Sequence, residues 1–224
     1  FWWGADYTET NAFNMAVSVP QDGLGLANLY GGRDQLADKL DTIFTTDGGY
    51  IGYGAMDGVG GIHEQREARE VKLGQYGHSN QPAHHIPYMY LYSSRPWETQ
   101  KYVRDILARC YAGSTFGQGY IGDEDNGEMS AWYVLSSIGF YPLSMGNDEF
   151  AIGSPQFEEV TVNLEGNKKL VIKANNNSRE NVYVDSMYVN GEKYDKTFIK
   201  YEDLIKGGTI EFNMSSTPNK ERGL

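Results

Sequence analysis

A glycine-rich loop with three consecutive carboxylates is the segment of this chain best suited to chemistry. It runs from Gly117 to Glu128 and places Asp123, Glu124 and Asp125 in a row. It has no lysine to hold a phosphate, and it departs from the EF-hand pattern, whose sixth position is glycine where this chain has Glu128. From spacing alone, three interpretations stay open: a carboxylate pair for general acid–base work, a calcium site, or a solvated acidic turn.

A second cluster combines the three histidines His78, His84 and His85. They suggest zinc, yet the last two are adjacent and would point apart on a helix, and no cysteine accompanies them. The acid-rich composition suits a hard cation with oxygen ligands better. The pair His63-Glu64, taken alone, is typical of a protein surface.

Glu9 precedes an apolar segment, Asn11–Val19, that is expected to form a buried helix. Thr8 or Thr10 could cap this helix, and Glu9 in its first turn would interact favourably with the helix dipole. A capping acid is therefore the structural interpretation of Glu9.

The elements that position these residues are predicted to be helices. Apolar residues recur at helical spacing in 32–44 and 102–111, and the segment 128–139 is predicted to be another apolar helix. The segment 82–92 opens with proline at a favourable first-turn position. Gly48 to Gly61 holds seven glycines and is predicted to be a loop.

The pattern changes near Pro142, after which short β-rich runs follow one another. The turn sequences 165–167 and 190–191 lie between these runs and predict hairpins. Helices followed by strands imply helical packing plus an antiparallel sheet layer. The strand runs are 150–152, 160–162, 170–172, 182–184 and 209–212.

Composition excludes several classes of partner. The 224 residues include 19 Lys and Arg against 30 Asp and Glu, a net charge of −11, which disfavours nucleic acid and anionic membranes. No apolar run reaches the length of about 18 residues that a membrane span needs. Cys110 is the only cysteine, so the chain can form no internal disulfide. The 17 Tyr, 9 Phe and 4 Trp would fill a core, but Tyr and Trp also suit sugar-binding clefts.

The chain opens on three large aromatic residues, Phe1, Trp2 and Trp3, without an initiator methionine. Such residues make a poor solvated terminus. We therefore expect the C-terminal piece of a longer chain, with exposed apolar surface near residues 1–3. We also expect little or no activity from the isolated piece, because half of a cleft would be missing.

The segment around Glu9, the histidine cluster and the acidic loop together resemble glycoside hydrolase family 92, whose members are calcium-dependent, inverting exo-α-mannosidases. The resemblance follows nearly the whole chain in order, with two departures: Thr10 where the family usually has glycine, and 221–223 where its last motif usually ends in Trp-Gly. The matching segments are 7–11, 78–88, 122–133, 139–142, 152–155, 175–178 and 190–191.

The resemblance implies a fold that is mainly α, then β. Residues 1–143 would be the C-terminal part of an (α/α)6 toroid with its catalytic loops, and residues 144–224 a small antiparallel β-sheet region. The family's N-terminal β-sandwich domain would be absent from this chain and would pack against it. The family's members also imply an extracellular or periplasmic location.

The resemblance also assigns roles to single residues. Glu9 matches the general acid, Asp125 the general base, and Asp123 a second carboxylate that helps to hold the attacking water. Asn80 and Gln81 match the motif associated with Ca²⁺. The pair His63-Glu64 resembles one that contacts the leaving-group mannose in members that cleave α-1,2 linkages.

The expected function is therefore hydrolysis of terminal α-linked mannose, with α-1,2 preference, from mannooligosaccharides or N-glycans. An inverting mechanism needs one carboxylic acid and one carboxylate about 6.5–9.5 Å apart, with room for water. Two alternatives remain open: a non-catalytic carbohydrate-binding module, which would not need both Glu9 and the Asp123/Asp125 pair, and an inactive accessory fragment of the enzyme.

Overall fold

The computed structural model describes residues 6–47, 63–113 and 117–224. In these ranges six α-helices precede the first strand, and short 3₁₀ segments connect some of them. The helices are α1 (Ala12–Met15), α2 (Gly23–Tyr30), α3 (Arg33–Thr45), α4 (His63–Glu70), α5 (Trp97–Cys110) and α6 (Glu128–Ile138), and the 3₁₀ segments are Pro20–Asp22, Gln81–Ala83 and Ile86–Tyr92.

The helical part is organised around one apolar core. On α3 the residues Leu36, Leu40 and Ile43 are fully buried, because their spacing puts them on one face of the helix. They pack in the same cluster as the apolar residues of 86–91 and of α5. Within the described ranges, no helix combines the length and the apolar composition that crossing a membrane would require.

Two sheets follow the helical part. A three-stranded antiparallel sheet has the order β1-β2-β7, and a five-stranded sheet has the order β3-β4-β8-β5-β6. The second sheet buries alternate residues of its strands in a separate apolar cluster. The strands are β1 (Phe140–Tyr141), β2 (Glu149–Ile152), β3 (Glu159–Asn163), β4 (Lys169–Asn175), β5 (Tyr183–Val189), β6 (Glu192–Lys193), β7 (Phe198–Lys200) and β8 (Gly208–Ser215), with helix α7 (Tyr201–Ile205) between the last two.

The order of helices and then strands confirms the fold class predicted from the sequence, as do both hairpins, β3–β4 and β5–β6. One pairing departs from the antiparallel expectation, because β8 inserts between β4 and β5 and runs parallel to β4. A domain boundary at residue 143 stays a prediction.

Two of the predicted helices differ in the structure. The segment Asn11–Val19 forms only one turn of helix, α1, which ends at Met15, and a 3₁₀ segment begins at Pro20. The segment 82–92 is 3₁₀ rather than α, and Pro87 lacks the N–H that a continuous α-helix would use there. The predicted loop 48–61 and the aromatic residues 1–3 lie outside the described residues.

Candidate active site

Two amide side chains connect distant parts of the helical region. Asn80 Nδ2 donates a hydrogen bond to the backbone carbonyl of Glu9 over 2.5 Å, and Gln81 Nε2 donates to the backbone carbonyl of Asp123 over 2.9 Å. Both acceptors are backbone atoms, so the amides fix the path of the chain next to each carboxylate. Four of the residues singled out in the sequence thus lie around one point.

Glu9 does not cap a helix. Asn11 is the N-cap of α1, and its side chain accepts hydrogen bonds from the N–H groups two and three residues later, over 3.0 and 3.1 Å. The expectation that Thr8 or Thr10 caps this helix is therefore wrong, as is the placement of Glu9 in its first turn. Glu9 is half-buried and has left-handed backbone, φ +54°. Such a conformation costs a non-glycine residue about 1–3 kcal/mol and is concentrated at functional sites.

The acidic loop is packed directly against the segment that carries the two amides. Gly122 has φ +73°, and a Cβ built on it would lie 2.5 Å from the Cβ of Ser79 and 2.6 Å from the carbonyl oxygen of Ser79. Only glycine permits both this backbone conformation and this close approach. The contact of Gly122 with Ser79 therefore fixes the distance between the backbone next to Asp123 and the segment 78–81.

The three consecutive carboxylates of the loop have different environments. Glu124 accepts hydrogen bonds from the hydroxyl and the N–H of Ser130, over 2.9 and 3.3 Å, and these bonds lower the pKa of Glu124. Asp123 and Asp125 are exposed, and neither carboxylate bonds to another residue in the described part of the chain. Asp125 also has left-handed backbone, φ +49°. The arrangement thus presents two free carboxylates on either side of one that is engaged in structure.

Glu64 lies close enough to Glu9 for their charges to interact, although it is on α4. Its side chain is only 5% exposed, and within the described ranges its Oε2 has no hydrogen-bond partner. Burial raises the pKa of Glu64, and the negative charges of Glu9 and Glu67 add to this effect while His63 opposes it. His63 is half-exposed, and its Nε2 lies 3.3 Å from Glu64 Oε1. The pair is therefore not the ordinary surface pair that the sequence alone suggests.

The three clustered histidines are engaged with protein atoms. His78 is fully buried between two tyrosine hydroxyls, each 2.8 Å from a ring nitrogen, and burial holds its pKa well below the usual 6.5. His84 Nε2 donates to the carbonyl of His78, and His85 Nε2 donates to the carbonyl of Val17. These contacts leave no converging set of ring nitrogens for zinc.

The residues around Asn80 and Gln81 fit a hard cation by their donor chemistry. In the described ranges no three His, Cys, Asp or Glu side chains converge as a metal site. The amide nitrogens of Asn80 and Gln81 are used on backbone carbonyls, so their oxygens remain as neutral donors near exposed carboxylates. Amide, backbone and carboxylate oxygens are the ligands that Ca²⁺ prefers.

Two features of the site have no direct signal in the sequence. One is the contact of Gly122 with Ser79, for which the only signal is a glycine ahead of the acidic residues. The other is a contact between His84 and Glu128, in which Nδ1 of the ring is hydrogen-bonded to Oε1 over 3.1 Å and lies 2.8 Å from Oε2. A cleft of about 830 Å³ beside α5 contains none of the predicted carboxylates; its lining includes Lys101, Arg104, Gln156, Glu158, Asn177 and Arg179.

Comparison with known proteins gives relatives that are much longer than this chain. A curated "uncharacterized secreted glycosidase" from Arthroderma benhamiae is 27% identical over 209 residues, which are 92% of this chain and 23% of that protein. A family 92 α-mannosidase from Bacteroides thetaiotaomicron, solved with mannoimidazole, superimposes with a TM-score of 0.84 at 36% identity, over 97% of this chain and 27% of that one. An inverting family 92 mannosidase from the same organism gives a TM-score of 0.80 at 37% identity, over 97% and 29% of the two chains.

This chain therefore spans about a quarter of the length of the relatives it matches. The similarity in fold covers both the helical part and the sheets. The sequence model of the glycosyl hydrolase family 92 catalytic domain matches residues 2–216, nearly the whole chain. The chain belongs to glycosyl hydrolase family 92.

Proposed function

We propose that this chain provides the acid and base segments of an exo-α-mannosidase that removes terminal α-1,2-linked mannose from mannooligosaccharides or N-glycans with inversion. The observation that carries the proposal is the pair of hydrogen bonds from Asn80 and Gln81, which bring the backbones of Glu9 and Asp123 to one place. Glycoside hydrolysis requires two carboxyl groups on either side of the scissile bond, and these segments each carry one.

Glu9 is the general acid in this proposal. It donates a proton to the glycosidic oxygen as the bond to the leaving sugar breaks. Glu9 is half-buried, and it lies close enough to Glu64 of α4 for the two charges to interact. Because Asn80 hydrogen-bonds to the backbone of Glu9, the position of the Glu9 backbone, from which the side chain extends, is fixed.

Asp125 is the general base, and Asp123 helps to orient the attacking water. Both are exposed and free of bonds to other described residues, so their oxygens are available to water. Asp125 takes a proton from the water as it attacks the anomeric carbon on the face opposite the leaving group, which inverts the configuration. Glu124 takes no part, since Ser130 holds it at the start of α6.

Ca²⁺ is the proposed cofactor, held near Asn80 and Gln81 by side-chain or backbone oxygens. When bound, it would accept sugar hydroxyls as ligands and so favour a distorted ring. The α-1,2 preference rests on the pair His63-Glu64, whose position beside Glu9 suits the subsite of the leaving-group mannose.

The proposal also covers the location of the protein and the partners that it binds. A relative described as secreted and the family's glycan chemistry support an extracellular or periplasmic protein that acts on mannose-containing glycans. A net charge of −11 suits a neutral sugar and a divalent cation, and not nucleic acid. We further propose that the chain packs against a preceding β-sandwich domain.

The leaving-group dependence of two variants tests the proposal in the intact protein. Asp125→Asn should slow every substrate by about 10²–10⁴-fold, because water activation is needed for all of them. Glu9→Gln should slow α-1,2-mannobiose by a similar factor, but dinitrophenyl mannoside far less, since dinitrophenolate leaves without a proton. NMR should detect β-mannose as the first product.

Other results would reject specific parts of the proposal. Initial release of α-mannose would exclude inversion. Equal losses on both substrates for Glu9→Gln would exclude Glu9 as the acid. Saturable binding of mannobiose without turnover by the wild-type protein would favour a carbohydrate-binding module.

A further inference from the structure

We infer that Glu128 is a positioning residue of the general-base loop, acting through its hydrogen-bonded contact with His84. This inference deepens the proposed function and rests on it. Glu128 begins α6, directly after the loop that carries Asp123 and Asp125. An acid at that place would by itself only stabilise the helix dipole, but its side chain also reaches a second segment.

The ring of His84 joins Glu128 to the backbone of the segment that carries the two amides. Nδ1 lies 2.8 Å from Oε2 and 3.1 Å from Oε1 of Glu128. Nε2 lies 2.8 Å from the carbonyl oxygen of His78. A carbonyl can only accept, so Nε2 donates and the orientation of the ring is fixed.

His84 is a rigid anchor because its surroundings are buried and closely packed. It is 1% exposed and stacks on His78 with 4.3 Å between ring centroids. Its backbone carbonyl accepts a hydrogen bond from Nε1 of the fully buried Trp132, over 3.2 Å. Glu128 is much more exposed, with 39% of its side chain accessible, so the fixed end of the pair is His84.

The general-base loop is thus held at two points. Gln81 holds the carbonyl of Asp123, and His84 holds the carboxylate of Glu128. Between them Asp125, Asn126 and Gly127 are successively left-handed, with φ of +49°, +60° and +97°. A run of such residues is unfavourable for the backbone, so the loop keeps this shape only while both ends are fixed. Glu124 cannot replace Glu128, because it bonds to Ser130 of α6 itself.

The variant Glu128→Gln tests this inference, with Asp203→Asn as its control. Asp203 is matched to Glu128 in exposure, 38% against 39%, and in the length of its ion pair with Lys206, 2.8 Å, but it lies on α7. In the intact protein we expect Glu128→Gln to lower kcat about 10–100-fold with little change in KM, since small displacements of a catalytic group have effects of that size. Asp203→Asn should leave kcat and KM unchanged.

The loss of activity in Glu128→Gln should resemble the loss caused by removing the general base. Glu128→Gln should slow dinitrophenyl mannoside as much as mannobiose, and the double variant with Asp125→Asn should be no slower than Asp125→Asn alone. Amide hydrogen exchange of residues 117–128 should accelerate in Glu128→Gln and stay unchanged in Asp203→Asn. If Glu128→Gln does not fold, Glu128→Asp, which shortens the side chain, takes its place.

The outcomes separate this inference from the proposed function. Wild-type kcat together with unchanged exchange of the loop in Glu128→Gln would overturn the inference, as would a loss confined to KM. Wild-type turnover by Asp125→Asn would instead overturn the proposed function. The exchange measurement would then still decide whether Glu128 holds the loop.

Discussion

Adding one methyl group at Gly122 should separate the general-base loop from the segment 78–81. The Cβ of Gly122→Ala would lie 2.5 Å from the Cβ of Ser79 and 2.6 Å from its carbonyl oxygen. Carbon atoms in contact rest about 3.5–4.0 Å apart, so the loop has to move by about 1 Å. Because the carbonyl belongs to the backbone, rotation of a side chain cannot relieve the contact.

Two effects of this substitution can be estimated separately. Left-handed backbone costs alanine about 1–2 kcal/mol more than glycine, which lowers the free energy of unfolding. A displacement of about 1 Å at a catalytic group can lower the rate about 100-fold. We therefore expect Gly122→Ala to reduce kcat on dinitrophenyl mannoside by about two orders of magnitude, beyond any loss of stability.

Gly166→Ala is the matched control for backbone strain. Gly166 has φ +72° against +73° for Gly122, but it lies in the hairpin turn between β3 and β4, and nothing lies within 4 Å of an added Cβ. Urea unfolding should give similar losses of stability from strain in the two variants, while initial rates should fall only for Gly122→Ala. Equal activities of the two variants, measured well below their melting temperatures, would refute the reasoning.

Three further predictions concern the cation and the pair His63-Glu64. Ca²⁺ should raise the melting temperature of the intact protein, contributing about 2.7 kcal/mol at 100 times its Kd; a chelator should reverse the shift, and an equal response to Mg²⁺ would contradict the assignment. His63→Ala and Glu64→Ala should each weaken cleavage of α-1,2-mannobiose more than that of an activated aryl mannoside, whereas equal losses would indicate a structural role. Because burial raises the pKa of Glu64, the native state binds its proton more tightly than the unfolded state, so stability falls as pH rises above about 4.5, the ordinary glutamate value. Glu64→Gln should therefore stabilise the protein at pH 7 and not below pH 4; a melting temperature unchanged at pH 7 would contradict this.

Regular elements with one clear apolar period were predictable from the sequence. The helices α3, α5 and α6 lie where apolar segments of the sequence predicted them, and the strands β3, β4 and β8 lie at the predicted β-rich runs. In each of them burial of one face decides the conformation, and that information is local. The polar helix α4 was not predicted, because only three of its eight residues are buried and its sequence has no apolar stripe.

Features that depend on the partner of an element were not predictable. The strand β8 has the same alternation whether its neighbour is parallel or antiparallel, so its place between β4 and β5 is decided by the chain connections. The cap of α1 illustrates the same limit on a smaller scale. Thr8, Thr10 and Asn11 are all good caps, and Asn11 is selected because the chain turns immediately before it.

The candidate site was predictable as a set of residues but not as a set of contacts. Resemblance singled out Glu9, Asn80, Gln81 and Asp123, and the structure brings them together. That Asn80 and Gln81 donate to the backbones of the other two could not be inferred, because amides beside acidic residues equally suggest ligands of a metal. Their assigned catalytic and metal-binding roles stay predictions.

The segment 78–84 explains how acids on short turns could be held accurately enough for catalysis. Glu9 and Asp125 are in left-handed turns, and no other side chain of the described residues hydrogen-bonds to their carboxylates. Their positions must therefore come from the backbone, and the backbone is held from the segment 78–84 through Asn80, Gln81 and His84. Since one segment holds both the proposed acid and the proposed base, a displacement of that segment carries both together. Changes at the individual contacts should therefore alter the separation of acid and base, and so affect turnover more than binding of the sugar.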